Sequence, residues 1–455
     1  MKHSGSSNSR AYPADPVVIG SDDHPIGPEL IDADARKVLR RLWDAGYKAY
    51  LVGGGVRDLY LGRTPKDFDI STEARPGQIR KLFRNSQTIG RRFRLVQIFF
   101  HGGKVVEVST LRSLSEHDLD GPEAVLAPNN TFGTLDEDAQ RRDLTINSLF
   151  YSLNDNSIID YVGGITDLDR SVIRIVGDPE RRINRDPVRM LRAVRHGARL
   201  GFTIEEKSLT AIRSHHRALS LCPPSRLRDE LFKDLQSGSL SEWFRLMHEA
   251  DLFCDLVPLY QGVLYKKGAG SETGREQLER IFPVVDRIVA KLKADTHAVP
   301  LPNYFLLALL LLPWADISFS LVEKRRKGRE AFQLTKAIRV SLDEGLGQQL
   351  NLRRSLRQEI TTLLANLPLF LLHDKDGNLP KWLKKKSYFE MCQLFYRCYL
   401  EAWQKGTVDD ELLHLSSPAA ADSRRGRPSR KRSSRSRTRP SFAHGAKSGI
   451  FGFKK

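Results

Sequence analysis

The sequence predicts an α+β protein in which a small mixed sheet with helices is followed by an all-helical remainder. Strand-like and helix-like segments alternate between about residue 30 and residue 165, whereas beyond Ile175 the apolar spacing is helical. With 455 residues and a hydrophobic content of 40%, the chain has enough apolar side chains for a substantial core. This length is typical of roughly two to four domains.

The first ordered element predicted is a helix that begins after Asp32, a residue type that caps helix N-termini. Its apolar positions between Ala35 and Leu42 keep helical spacing until Gly46. Residues 1–28 are rich in Ser, Pro, Asp and Gly without periodicity, so we expect them to be disordered. The strands predicted next are Ala49 to Val52, Phe68 to Thr72, and the two arms of a hairpin, Phe93 to Phe100 and Lys104 to Leu111.

Helical spacing dominates the second half, as in residues 189–195, in Pro224 to Leu235 and in Leu-rich stretches to about Leu415. The longest apolar run, Tyr304 to Trp314, is too short to span a bilayer and is predicted to be a buried helix. The N-terminal residues lack the apolar centre of a signal peptide. Four widely spaced cysteines without a CxxC pair suggest neither a disulfide framework nor a zinc site, so we expect a cytoplasmic protein without a membrane span.

The formal net charge of +18 and the pI of about 9.8 favour a polyanionic partner, because clustered Lys and Arg release counterions from phosphates. Charge alone leaves RNA, DNA and an anionic membrane open. From Pro418 onward there are twelve basic residues and one acid, Asp422. This Ser/Arg-rich tail is predicted to be disordered and to bind phosphates, with a merely solubilising tail as the alternative.

The segment from Leu51 to Ile70, LVGGGVRDLYLGRTPKDFDI, combines several features at fixed spacing. Gly53, Gly54 and Gly55 follow a strand, and because they lack side chains their backbone amides can approach a triphosphate closely. Arg57 is placed to neutralise phosphate charge. The glycines and the arginine therefore predict a nucleotide-binding turn.

Two carboxylates close the same segment. Asp67 and Asp69 are two residues apart, so on a strand both side chains project from one face while Phe68 points into the core. A pair of carboxylates suits Mg²⁺, which prefers oxygen ligands and bridges protein to substrate phosphates. An isolated DxD is more often a polar strand edge or a turn, but the glycines and arginines at fixed spacing favour a metal site here.

This segment resembles the signature of the class II nucleotidyltransferases, which comprise bacterial poly(A) polymerases and CCA-adding tRNA nucleotidyltransferases. Three later segments resemble successive motifs of that family: RRDLTINSLFY (141–151), DYVGGITDLDRSVIRIVGD (160–178) and DPVRMLRAVRHGARLGF (186–202). The resemblance implies a polymerase-beta-like head followed by helical neck, body and tail. It divides the chain into a disordered extension (1–28), the head (29–165), the neck (166–240), the body (241–415) and a disordered Arg-rich tail (416–455).

The resemblance also implies roles for single residues. Asp67 and Asp69 resemble the metal-binding pair, Asp143 resembles a further catalytic aspartate, and Arg142 lies beside it near ribose or phosphates. Glu107 is expected as a third metal ligand facing the pair, since an acid among valines is costly to bury without a partner. The alternative is that Glu107 faces solvent from its strand.

The helix that begins near Asp186 resembles the element that selects the nucleotide. There Asp186 and Arg189 present hydrogen bonds to a base edge, with Arg192 also binding nucleotide, and their i, i+3 spacing predicts an ion pair between them. Arg195 is expected to continue a basic stripe toward RNA, whereas a plain surface salt bridge is the alternative. Arg185 stands where the family usually has Glu, and we hypothesise that this change favours a single-nucleotide enzyme.

Two features resemble the polyadenylating branch, namely the segment IGRRFRLV (89–96) and the basic tail. The expected function is therefore a poly(A) polymerase that uses two Mg²⁺ ions to add AMP from ATP to RNA 3′ ends without a template, in RNA polyadenylation and turnover. RNA-decay proteins are expected partners. The alternatives are CCA addition to tRNA and a catalytically silent RNA-binding protein. The tail residues expected to contact RNA are Arg424, Arg425, Arg427, Arg430, Lys431 and Arg432.

Overall fold

The computed structural model describes residues 15–90, 95–113, 132–268, 272–295, 298–324, 326–373, 379–408 and 413. These residues belong to one contiguous unit that runs to Ser416. The six RNA-binding residues predicted in the tail, from Arg424 to Arg432, lie outside the described residues. So do residues 1–14 and the centre of the IGRRFRLV segment.

The first part of the chain is built on an eight-stranded mixed sheet. Its strands are β1 (Val17–Ile19), β2 (Ala49–Val52), β3 (Asp69–Thr72), β4 (Ser86–Ile89), β5 (Leu95–Phe99), β6 (Val105–Thr110), β7 (Phe150–Ser152) and β8 (Ser157–Asp160). The strand order is β1-β8-β7-β2-β3-β6-β5-β4. β3 and β6 pair in parallel, and the other neighbours in this sheet pair antiparallel. The predicted mixed sheet is confirmed, with more strands than the sequence indicated.

The sheet separates two apolar layers because successive side chains of a strand point to opposite faces. Leu51, Ile70 and Val108 are aligned across β2, β3 and β6 and belong to the main core. On the opposite face, Val52 packs in a smaller cluster with Phe150 of β7. The second face also carries the polar side chains of the candidate site described below.

Helices cover the sheet and form the rest of the described chain. In the first part they are α1 (Ala33–Asp44), α2 (Gly54–Tyr60), α3 (Pro76–Leu82), α4 (Leu135–Gln140) and α5 (Gly164–Asp169). After α6 (Pro179–Arg185), α7 (Val188–Leu200), α8 (Glu206–His215) and α9 (Pro224–Leu235) come α10 (Leu240–Glu249), α11 (Phe253–Leu256), α12 (Gly274–Ala294), α13 (Asn303–Phe319), α14 (Arg329–Glu344), α15 (Leu346–Gln349), α16 (Arg354–His373), α17 (Lys381–Lys384) and α18 (Phe389–Ala402). Between α5 and α8, β9 (Val172–Ile173) pairs in parallel with β10 (Thr203–Ile204).

Several local predictions are confirmed. Asp32 caps α1 by accepting hydrogen bonds from the amides of Asp34 and Ala35. The strand Ala49–Val52 has the predicted bounds. The predicted apolar run forms the buried centre of α13. No helix in the described ranges is long and apolar enough to cross a membrane.

Two predictions need correction. Residues 15–28 are not part of a disordered extension, because Val17–Ile19 pairs antiparallel with β8 and extends the sheet by one edge strand. The average composition of the N-terminal region hid this short β-branched run, which needs only one neighbouring strand to pair. In addition, β3 begins at Asp69, so Asp67 precedes the strand that was predicted to carry both carboxylates.

Candidate active site

The register between β3 and β6 brings two carboxylates to one face of the sheet. Ser71 is aligned with Ser109, and their hydroxyl oxygens lie 3.0 Å apart. Asp69 and Glu107 each lie two residues earlier on the same strands, so their side chains project from the same face as the serines. Parallel pairing at this point of the sheet therefore places Glu107 next to Asp69, as the sequence predicted.

The charges around Asp69 indicate that it belongs to a carboxylate cluster. Burial of the carboxylate and the negative charges of Glu107 and Asp67 together raise the pKa of Asp69 to about 6, although the Arg142 guanidinium lowers it. Much of the Asp69 residue is accessible to solvent. The rise in its pKa therefore comes from the groups packed around the carboxylate and not from burial of the whole residue. Gln97 donates a hydrogen bond of 2.8 Å to Glu107 Oε1 and fixes that side chain.

The cluster fits a divalent cation that also contacts substrate. Within the described ranges, no three Asp, Glu, His or Cys side chains are arranged closely enough to form a complete ligand set for a metal ion. Mg²⁺ does not need such a set, because it is usually held by one or two carboxylates together with substrate phosphates and water. Asp67 and Asp69 supply oxygen donors of this kind, and the repulsion that raises the Asp69 pKa is relieved by a cation.

The glycine turn lies directly beside these carboxylates. Gly53 has a φ of 72°, in the left-handed region that favours glycine, and its amide donates to the Leu149 carbonyl oxygen. A Cβ atom at Gly55 would lie 3.3 Å from the backbone carbonyl oxygen of Asp67. Gly54 and Gly55 are the first residues of α2, so their amides have no acceptor within the helix. The small residues thus allow the turn to pack against the chain at Asp67.

Arg142 connects the turn to the carboxylate face. Its Nη2 donates to Ser71 Oγ at 3.2 Å and to Asp138 Oδ2 at 2.8 Å. Its Nη1 lies 3.4 Å from the position that a Cβ atom at Gly53 would occupy. The guanidinium therefore stands between the glycine turn and β3, and its predicted contact with phosphate or ribose stays a prediction.

Arg57 occupies a different position from the one its sequence context suggested. It is buried, and its guanidinium donates to Asp58 Oδ1 at 2.6 and 2.8 Å and to Asn147 Oδ1 at 2.6 Å. His196 Nδ1 lies 3.3 Å from its Nη1. These contacts hold α2 against the segment after Arg142 and against α7. Arg57 therefore fixes the position of the glycine turn through contacts inside the protein.

Asp143 is held by two arginines of α7. Arg189 Nη1 lies 2.7 Å from Asp143 Oδ1, and Arg192 Nη1 contacts Asp143 Oδ2. Burial alone would raise the pKa of Asp143, but the two guanidinium groups hold it well below its usual range. Asp143 therefore stays ionised and fastens α7 to the segment that carries Arg142. Its predicted catalytic role remains a proposal.

The predicted ion pair between Asp186 and Arg189 is wrong. Asp186 Oδ2 instead accepts a hydrogen bond of 2.9 Å from Arg226 of α9, while Arg189 is engaged by Asp143. Helical spacing suggested the pair, but Asp186 lies before the first turn of α7, so its side chain faces α9. Asp186 Oδ1 and Arg189 Nε are both buried atoms without a hydrogen-bond partner among the described residues.

One cavity of about 630 Å³ is lined by Arg142, Asp143, Asp186 and Arg189. Six arginines and three aspartates line it, together with Ser109 of the carboxylate face, and the lining includes both Asp186 and Arg189. Burial and the neighbouring Arg141 lower the pKa of Arg112 to about 10. Crowding of guanidinium groups is relieved by a polyanion, so the cavity is suited to a nucleoside triphosphate.

Arg195 is not the exposed RNA contact that the sequence predicted. It is 7% exposed, and its Nη1 lies 2.5 Å from Glu230 Oε2 and 3.1 Å from Asp234 Oδ1, both on α9. The basic stripe of α7 faces the acidic residues of α9, which the sequence of α7 alone does not show. Arg195 is therefore an internal link between these two helices.

Sequence reasoning missed the residues that complete this arrangement. Asn147 lies inside the RRDLTINS motif, but nothing marked it as the partner of Arg57. Arg226, Glu230 and Asp234 recur every four residues on α9, and this spacing could have indicated a charged face opposite the arginines of α7. That signal was available in the sequence.

Comparison with protein families agrees with this geometry. Residues 49–174 match the family described as the poly A polymerase head domain, and residues 201–262 match the probable RNA and SrmB-binding site of polymerase A. The first match contains the glycine turn, both strands of the carboxylate face and Arg142, and the second contains α9. Both matches agree with the resemblance to the class II RNA nucleotidyltransferases that the motifs indicated.

Curated relatives divide between two activities of that family. The chain is 46% identical over 276 residues to poly(A) polymerase I of Escherichia coli O157:H7, covering 59% of this chain and 58% of the relative. It is 37% identical over 233 residues to the CCA-adding enzyme of Bacillus subtilis, covering 51% and 57%. The matched region thus spans a little under three fifths of the curated relatives.

Solved structures share the fold over a larger part of the chain. The Bacillus stearothermophilus CCA-adding enzyme in complex with CTP has a TM-score of 0.59 and 22% identity, covering 88% of this chain and 83% of that one. The Thermotoga maritima CCA-adding enzyme complexed with tRNA has a TM-score of 0.56 and 22% identity, covering 86% and 84%. These similarities confirm the predicted fold class, a nucleotidyltransferase head followed by helical segments.

Proposed function

We propose that this protein is a poly(A) polymerase that transfers AMP from ATP to RNA 3′ ends without a template. The observation that carries the proposal is the pair of unpartnered buried atoms, Asp186 Oδ1 and Arg189 Nε, in an arginine-lined cavity. The cavity adjoins the carboxylate face through Ser109. The 46% identity to a bacterial poly(A) polymerase I supports the same activity.

The two unpartnered atoms favour particular bases. Asp186 Oδ1 accepts a hydrogen bond and Arg189 Nε donates one. The pairing edges of adenine and cytosine offer an amino donor beside a ring-nitrogen acceptor, which matches this order, whereas guanine and uracil offer a carbonyl beside an N–H. A buried group without a partner costs about 1–3 kcal/mol. A matching base supplies the missing partners and removes this cost, whereas a mismatched base does not, so the two atoms contribute a substantial part of the base selectivity.

The proposed reaction is attack of the RNA 3′-hydroxyl on the α-phosphate of ATP, which forms a phosphodiester bond and releases pyrophosphate. Asp67 and Asp69 would hold Mg²⁺, with Glu107 beside them, and two such ions would activate the hydroxyl and offset charge on the leaving group. Arg142 lies between the glycine turn and the carboxylates and would orient the phosphates. Gly54 and Gly55 would add backbone donors.

CCA addition to tRNA is the second candidate. The donor and acceptor at Arg189 and Asp186 accommodate cytosine as well as adenine, and a CCA-adding enzyme is 37% identical over half of this chain. Polyadenylation is favoured by the IGRRFRLV segment and by the basic tail, since backbone contacts are independent of sequence and suit a growing RNA.

One experiment separates these activities. The purified protein is incubated with Mg²⁺ and labelled ATP or CTP, and with either an unstructured RNA or a tRNA that lacks its 3′ end. Long adenylate tails on the unstructured RNA are the expected result. Addition confined to completing the tRNA end would establish the second candidate, and no incorporation with either RNA would leave a silent RNA-binding protein.

The carboxylate assignment is tested by Asp67→Asn and Asp69→Asn. We expect each to lower the rate of incorporation by at least about 100-fold with little change in RNA affinity, because these groups act on charge that develops in the transition state. Asp44→Asn, on the exposed surface of α1, is the control and should keep full activity. Near-normal incorporation by either variant would remove the metal site from the proposal.

A cytoplasmic location and partners among RNA-decay proteins remain part of the same proposal. A protein that extends RNA 3′ ends acts where transcripts are degraded, so affinity purification from cells should recover ribonucleases or helicases. If recovery depends on RNA, treatment with nuclease will abolish it, and the contact is then not direct.

A further inference from the structure

A second basic groove lies on the head, away from the candidate active site. Its rim carries Lys37 and Arg41 of α1, Lys81 of α3 and Arg84 in the loop after α3, and its floor includes Phe83. We call it the head groove. Its volume is about 560 Å³, within the range of sites for small ligands or single nucleotides.

The head groove is on the other side of the sheet from the carboxylates. Ile98 of β5 lines the groove, and its neighbour Gln97 points to the opposite face, where it donates to Glu107. The groove and the arginine-lined cavity share no residue. It is therefore a separate surface and not an extension of the nucleotide site.

The charges of the groove select an anion. All four rim cations are exposed, and no carboxylate lines the groove. Lys37 is paired with Asp34 at 3.0 Å, an exposed pair that contributes little. Within the described ranges, Lys81 and Arg84 have no carboxylate at ion-pair distance. Two cations are thus available to a ligand without breaking an existing pair.

The floor adds an aromatic surface. Phe83 and Phe100 line the groove and pack against the main core, and the Arg41 guanidinium lies 5.2 Å from the centre of the Phe83 ring. Aromatic rings between exposed cations are typical of surfaces that bind single-stranded nucleic acid, where bases pack on rings and phosphates contact the cations. An acidic peptide would use the cations but would leave the aromatic floor without a matching partner.

We propose that the head groove binds the sugar-phosphate backbone of the RNA substrate at a distance from its 3′ end, with a base packed against the phenylalanine floor. The identity of the ligand as RNA rests on the proposed function, while the anion site itself does not. A long RNA can contact the groove and the active site at the same time, so it gains affinity that a short RNA lacks.

The test is equilibrium binding of labelled oligoadenylates to the full chain, without ATP, over a range of salt concentrations. In the double variant Lys81→Gln/Arg84→Gln, we expect weaker binding of a long oligoadenylate and a slope of log affinity against log salt that is shallower by about 1.4, for two lost phosphate contacts. Binding of a short oligoadenylate should not change. The matched control is Arg40→Gln/Arg80→Gln, which removes one exposed cation from α1 and one from α3, both outside the groove.

Equal losses in both double variants would overturn the proposal, because diffuse surface charge would then explain the effect. An unchanged slope in Lys81→Gln/Arg84→Gln would also overturn it. So would displacement of the long RNA by polyglutamate as effectively as by unlabelled RNA, since the aromatic floor would then have no function. ATP alone should not compete, and competition would identify a mononucleotide site instead.

The binding measurement is independent of catalysis. If the protein adds no nucleotide to any RNA, the proposed function fails, but a selective effect of Lys81 and Arg84 on the salt slope still supports the groove. The groove should give a long RNA a lower KM than a short primer. If the double variant extends the short primer normally but no longer shows this lower KM for the long RNA, both proposals are supported together.

Discussion

The link between α7 and α9 makes a strong prediction about stability. Arg195 is buried between Glu230 and Asp234, which are 4% and 0% exposed. Replacing Arg195 with Met keeps much of the side-chain volume but leaves two buried acids without this cation. Removal of one partner from a buried ion pair typically costs about 3–5 kcal/mol. Glu230 keeps Arg192 at 3.4 Å and Lys233 at 3.2 Å, so we expect about 3 kcal/mol.

The assay is urea unfolding followed by circular dichroism, comparing midpoints at constant slope. The control is Arg287→Met, which removes an arginine from the exposed pair with Glu401 and should cost at most about 1 kcal/mol. If Arg195→Met and Arg287→Met lower the free energy of unfolding equally, the buried link does not stabilise the protein as reasoned. A large fall in RNA affinity without loss of stability would instead restore the RNA-binding role first predicted for Arg195.

The same link should make stability depend on pH. Burial raises the pKa of Asp234 to about 7, and the Arg195 guanidinium only partly opposes this. The unfolded chain releases this proton near the ordinary value of 3.8, and the folded chain holds it to about 7. The contribution of Asp234 to stability is therefore fully present below about pH 4 and is lost as the pH rises to about 7. Asp234→Asn should flatten that part of the profile, and an unchanged profile would contradict the burial argument.

Three further predictions concern the nucleotide site and the tail. Gly53→Ala should raise the KM for ATP and cost about 1–2 kcal/mol of stability because Gly53 has a positive φ. The control Gly77→Ala, whose added Cβ would meet no atom within 4 Å, should do neither. Similar effects of the two substitutions would contradict the conformational argument. Arg185→Glu should increase CTP use relative to ATP in a competition assay, and an unchanged ratio would reject the hypothesis that Arg185 restricts the enzyme to one nucleotide. Deletion from Pro418 onward should flatten the salt dependence of RNA binding while addition of a single nucleotide continues, and an equal slope would leave the tail a solubilising role.

Local patterns predicted the elements that hold the chemistry. The glycine turn, β2 and the hairpin of β5 and β6 were all predicted, because alternation and turn residues act over a few neighbours. Side-chain partners were predicted less well. Asp186 and Arg189 are three residues apart, yet each pairs with a residue at least 40 positions away along the chain. Helical spacing gives proximity within one helix and says nothing about a competing partner on the next.

The edge strand and the buried arginines show a second limit of sequence reasoning. β1 needs β8, which lies more than 130 residues later, to satisfy its backbone, so no window around Val17 could predict it. Arg57 and Arg195 were assigned to ligands because arginines in motifs usually are. Whether an arginine meets a phosphate or a carboxylate depends on tertiary contacts that a motif does not contain.

The excess of arginine in the cavity is consistent with a site prepared before its substrate arrives. Six guanidinium groups would repel one another, and burial already lowers the pKa of Arg182, next to Arg189, to about 9. Asp143 and Asp186 offset part of this charge and fix Arg189, Arg192 and Arg226 in place. Because these arginines are held by the protein, little reorganisation is needed when a triphosphate binds. The aspartates of the cavity therefore order its cations before an anion binds, while Asp67 and Asp69, the residues proposed for the metal ion, are not part of the cavity lining.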